Sequence, residues 1–79
     1  MPTDETVVET ASDAAESVVF SRLDRDAIDD VDVTVAFENG RLEVDVYLNA
    51  PDERGVERVA DDAALAAQSA VDDLFADEQ

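Results

Sequence analysis

The sequence predicts an α+β fold in which two helices cover one face of an antiparallel β-hairpin, in the order helix, strand, strand, helix. Three observations predict it. Apolar residues recur at helical spacing towards both ends of the chain, they alternate with polar residues through its middle, and an Asn39-Gly40 dipeptide divides the alternating stretch. Seventy-nine residues make one domain, 1–79, which at this size buries only about 60% of the surface its unfolded form exposes. The core must be thin.

The first helix is expected over about 3–23. Pro2, a Thr3 cap and the acids Asp4 and Glu5 are what a helix N-terminus favours, because its free N–H groups attract oxygen and negative charge. Val7, Val8, Ala11, Ala14, Ala15, Val18 and Val19 then form one apolar stripe, with Glu9, Ser12, Asp13 and Glu16 largely opposite. A polar link follows, in which Ile28 is placed to plug the end of the core. From there the period changes to two. Val31, Val33, Val35 and Phe37 alternate with polar or small residues in a strand over about 31–38, and Leu42, Val44, Val46 and Leu48 do the same over about 41–49.

Asn39-Gly40 supplies the positive φ angles of a two-residue type I′ turn, and such a turn fixes the register. Phe37 then meets Leu42, Val35 meets Val44, Val33 meets Val46 and Val31 meets Leu48, so apolar faces apolar at every step. On the other face Glu38 meets Arg41, Thr34 meets Asp45 and Asp32 meets Tyr47. A slip of one residue would turn an entire apolar row to water. Ala50-Pro51 ends the second strand, and Asp52 with Glu53 is expected to start a helix over about 52–76. Its stripe is Val56, Val59, Ala60, Ala63, Ala66, Ala67, Ala70, Val71 and Leu74, with Phe75 beside it and Gly55 in the first turn. The last few residues are expected to fray.

Charge comes next. Twenty-two Asp and Glu stand against five Arg, with no Lys, for a net charge of −17 in a chain that is still 46% hydrophobic. Acidity with few aromatics often means disorder, but these acids are interleaved with apolar residues at regular spacing, as on the solvent faces of a folded domain. The pattern looks like a protein of a salt-rich cytoplasm, where a screening length of about 3 Å at 1 M makes such a charge tolerable. No stretch reaches the ~18 apolar residues of a membrane span and no secretory leader is evident, so a cytoplasmic location without membrane contact is expected.

Without Cys or His the chain offers no thiolate, imidazole base or ordinary zinc site. The doublets Asp29-Asp30, Asp61-Asp62 and Asp72-Asp73 do not suggest a catalytic pair or a metal site, since helical neighbours diverge by about 100°. Diffuse cations are the expected counterpart. The two glycines belong to a turn and a helix start, so no phosphate loop is present. Five arginines make no basic footprint for direct nucleic-acid binding. Arg22 and Arg25 read as partners for Asp24, Asp26 or another neighbour. No enzymatic activity and no cofactor are expected.

Two strands are marginal as a sheet, and both edges of the hairpin would offer unpaired backbone groups. The expected role is therefore a non-catalytic protein–protein interaction module that pairs through a hairpin edge with a second copy or another subunit. Tyr47 on the open sheet face and Leu65 on the polar side of the second helix are the candidate interface residues, set against the plain reading of isolated surface apolars.

The stretches VVFSRLDRDAIDDVDVTVAFENGRLEVDVYLNAPDE and RVADDAALAAQSAVDDLF resemble a small archaeal, haloarchaeal-type family, a domain of unknown function. The element order and the hairpin VDVTVAFENGRLEVDVYLNAP resemble, more weakly, the small dimerisation subunit of the archaeal KEOPS complex and its paralogues. That subunit carries a strand before its first helix, and this chain opens on the helix. The KEOPS complex makes the threonylcarbamoyl modification of tRNA adenosine. The resemblance implies a non-catalytic subunit whose hairpin pairs with the dimerisation subunit and limits the complex to one catalytic half. The alternative is a freestanding halophilic homodimer with a partner in translation or chaperone machinery.

Overall fold

A computed structural model of the chain describes residues 3–51 and 53–76. The fold is the expected one: helix α1 (Asp4–Arg22), a 3-10 turn (Arg25–Ala27), strands β1 (Asp30–Glu38) and β2 (Arg41–Asn49), and helix α2 (Val56–Ala76). The Thr3 hydroxyl caps α1 by accepting from the Thr6 N–H at 3.1 Å, and Asp4 and Glu5 occupy the first turn. The helix stops where Leu23 turns extended, its N–H still donating to the Val19 carbonyl. Pro2, which the sequence places at the helix start, lies outside the described residues, as do 77–79, where fraying is expected.

The strands pair antiparallel from Asp30↔Asn49 to Glu38↔Arg41. This is the register derived from the turn, with Phe37↔Leu42, Val35↔Val44, Val33↔Val46 and Val31↔Leu48 on one face. Asn39 at φ 53° and Gly40 at φ 77° adopt the left-handed backbone that a type I′ turn demands. At the open end the Asp29 N–H donates to the Asn49 carbonyl at 2.8 Å.

The start of α2 departs from expectation. Asp52 lies outside the described residues, Glu53 and Arg54 are not helical, and the helix begins only at Val56. The reason is Gly55, whose φ of 72° cannot continue into a right-handed helix. It is no first-turn residue. Its carbonyl instead accepts the first helical bond, from the Val59 N–H at 3.0 Å. The Ala50 carbonyl accepts from the Glu53 N–H, turning the chain between strand and helix.

Both helices lie on the apolar face of the hairpin, α1 against β1 and α2 against β2, and they pack on each other. The end of α1 meets the start of α2 where Arg22 Nη1 donates to Asp62 Oδ2 at 2.6 Å. Near the hairpin tip Phe37 meets Phe75 with ring centroids 6.0 Å apart. The helices therefore run antiparallel. Every fourth residue makes their seam: Val7, Ala11, Ala15 and Val19 from α1, and Val59, Ala63, Ala67 and Val71 from α2, all buried. Only Ala and Val stand there, so the helices approach closely, and the largest fully buried side chains are Val7 and Val19. Leu23 and Ala50 close the buried set, with Ile28 packed on it as expected. No helix among the described residues is long and apolar enough to cross a membrane.

Candidate functional site

The candidate site is the hairpin itself. Among the described residues its sheet has two strands, so each strand has one side with no neighbour there. In an antiparallel ladder the pair flanking a two-residue turn is hydrogen-bonded, and hydrogen-bonded and non-hydrogen-bonded pairs then alternate. Glu38↔Arg41 flanks the turn. The residues of the open face, Asp30, Asp32, Thr34, Ala36 and Glu38 with their partners, thus direct their backbone groups inward. Those of the core face direct theirs outward: Val31, Val33, Val35 and Phe37 along β1, and Leu42, Val44, Val46 and Leu48 along β2.

Among the described residues, no backbone or side-chain group outside the ladder bonds to these outward groups. Neither strand carries a Pro or an inward-pointing charge, so of the devices that blunt an edge the strands themselves carry only the charges of the open face. The side chains of the same eight residues are only partly buried, whereas the helix seam is closed. Backbone and side chain thus leave the same rows incomplete.

Tyr47 is 56% exposed on β2, and Leu65 is 62% exposed on α2. They do not form one patch. Tyr47 stands on the sheet face that the helices leave open, opposite Asp32, and Leu65 lies on the solvent side of the helix layer, on the other side of the molecule. Two of the arginines find partners within the fold: Arg22 pairs with Asp62, and the Arg25 guanidinium sits 4.6 Å from the centre of the Phe20 ring. Asp24 and Asp26, named with other neighbours as candidate partners, form no ion pair with them among the described residues. Arg41 reaches Glu43 on its own strand at 3.8 Å, with both side chains largely exposed. Among the described residues no three acidic side chains are grouped so as to hold a metal ion.

In sequence the apolar strand residues read as core and nothing more. The signal for their outward-facing backbone was present, since the two-residue turn that fixes the register also fixes which backbone groups face outward.

What the fold and its edges define is a small α+β protein whose most conspicuous chemistry is unpaired backbone. The chain is 54% identical over 74 residues to an uncharacterised protein of the haloarchaeon Natronomonas pharaonis, across 94% of this chain and 89% of that protein. It belongs to the same small archaeal family, one of unknown function. No family model matches the sequence, and no solved structure matches it. These comparisons lend no support to the KEOPS resemblance.

Proposed function

We propose that the chain is a non-catalytic interaction subunit that completes its two-stranded sheet with a strand from another polypeptide. One observation carries the reading: along both edges, outward N–H and C=O groups coincide with apolar side chains that the chain's own helices leave partly uncovered. Adding a strand satisfies those groups and covers that surface together. A domain of this size gains most from such an extension, because doubling the core offsets its poor surface-to-volume ratio.

For the assembly, the proposal is the archaeal KEOPS complex, with this hairpin paired to the small dimerisation subunit so that only one catalytic half assembles. The sequence likeness of the hairpin and the element order support that choice. The second reading, a freestanding homodimer, is supported by the side-chain pairs that the open edge of β1 can make with a second copy. Affinity purification of the tagged chain from a haloarchaeal host at native salt, with mass spectrometry, separates the two. Co-purification of the KEOPS subunits is the expected result, and a chain recovered alone and monomeric would overturn the interaction reading. Tyr47→Ala and Leu65→Ser report on the two exposed apolar positions. The variant that loses the partner marks the face it covers.

A further inference from the structure

We infer that β1, rather than β2, is the edge along which the chain pairs with a second copy of itself, antiparallel and centred on Thr34. The inference rests on the interaction-subunit reading and concerns the chain with no other subunit present.

Register separates the two edges. A strand added at either edge must bond to the outward groups, so on β1 the hydrogen-bonded partners of the new ladder are Val31, Val33, Val35 and Phe37. The open-face residues then fall in its non-hydrogen-bonded pairs, where facing side chains stand closest, with Cα atoms about 4.5 Å apart. A two-fold axis that keeps the whole of β1 in register pairs Val33 with Val35 of the second copy and Val31 with its Phe37. Every outward group of the strand is satisfied, and the apolar rows meet. On the open face Thr34 stands opposite Thr34 and Asp32 opposite Ala36. A facing threonine pair is favourable in sheets, and like charges directly opposite are not. The only like-charge meeting, Asp30 with Glu38, falls at the two ends of the interface.

The same operation on β2 gives a different result. Keeping all of Arg41–Asn49 in register places Asp45 opposite Asp45 on the axis, in the closest kind of pair and with no cation across from it. Moving the register by two residues puts Asp45 opposite Glu43 in one direction and opposite Tyr47 in the other, and either shift leaves outward groups at the strand end without partners. The β1 register also brings α1 of each copy alongside the other, extending the helix layer with the sheet. Its end pairs, Asp30 with Glu38, make the association stronger in molar salt, where screening acts within about 3 Å.

The chain contains no cysteine, so a single introduced thiol reports the axis. Thr34 and Asp45 are both exposed, and neither Thr34→Cys nor Asp45→Cys disturbs the core. Facing Cβ atoms in a non-hydrogen-bonded pair lie about 4.5–5.5 Å apart, within a small adjustment of disulfide geometry. In molar KCl the unmodified chain is expected to show a dimer mass by light scattering. Under mild oxidation Thr34→Cys shifts from monomer to dimer on a non-reducing gel, at a rate independent of protein dilution, and Asp45→Cys stays monomeric. A monomeric chain that forms no disulfide at either position overturns the inference, as does cross-linking through Asp45→Cys. If KEOPS subunits still co-purify in that case, the interaction reading stands without self-pairing.

Discussion

Transfer from molar to ~10 mM KCl is expected to unfold this protein, because screening changes the self-repulsion of a −17 charge by an amount comparable to the whole folding free energy. The radius of gyration of 13.1 Å corresponds to a sphere about 17 Å in radius. Coulomb's law in water, with screening lengths of about 30 Å at 10 mM and about 3 Å at 1 M, then gives the folded chain a repulsion of roughly 22 and roughly 5 kcal/mol. An unfolded chain of this length has a radius of gyration of about 27 Å. The same treatment gives it roughly 8 and roughly 1 kcal/mol. Repulsion therefore opposes folding by roughly 14 kcal/mol in dilute salt and roughly 4 kcal/mol at 1 M, a swing of roughly 10 kcal/mol against a usual stability of about 5–15 kcal/mol. Far-ultraviolet circular dichroism and light scattering along a KCl dilution series read the transition, and sucrose replaces KCl as a control for solvent exclusion. Loss of helix signal in dilute KCl, restored by KCl and not by sucrose, is the expected result. A helical signal and compact size unchanged across the series would refute the reasoning.

Other expectations follow from particular contacts. Ala67→Leu adds three carbons to a fully buried position in the helix seam and is expected to cost about 1–3 kcal/mol, read by urea unfolding in molar KCl. Gly55→Ala meets no neighbouring atom, so its cost is the left-handed backbone alone, about 1–2 kcal/mol. Gly55→Asn, which tolerates that conformation better, should lose less in the same assay. Arg22→Ala removes the bridge to Asp62, whose side chain is 31% exposed against 49% for Arg22. Partial exposure and screening hold its effect to about 1 kcal/mol or less, shrinking further in molar salt. A larger loss there would mean that the pair organises the helix crossing.

Most of the fold was legible because two kinds of signal agreed. Asn39-Gly40 fixed the turn, and the alternation on either side fixed which residues face the helices, so the full register from Asp30↔Asn49 to Glu38↔Arg41 followed from composition. The α2 boundary was harder to read. Asp52 and Glu53 look like helix-start acids, and nothing in one sequence says that Gly55 takes a positive φ, because glycine is permissive in both directions. The pairing of Arg22 with Asp62 was hidden for another reason. It joins residues 40 positions apart, and only the packing of α1 on α2 brings them together, whereas sequence neighbours suggested Asp24 and Asp26.

Charge and topology meet at the strand edges. A hairpin with two long apolar edges is a template for any extended peptide, and acids along its open face are the natural restraint on such pairing. The restraint is uneven here. Asp45 stands in the middle of β2, so a full-register second β2 brings like charges together at the axis, while the middle of β1 holds Thr34 and Ala36 and its acids sit nearer the ends. Acids that serve elsewhere as a solvated coat therefore discriminate between strands at these positions. Asp45→Thr tests this directly: relieving the central repulsion should let β2 compete with β1, giving chains larger than a dimer in molar salt. If the variant keeps the same mass as the parent, open-face charge does not control which edge pairs.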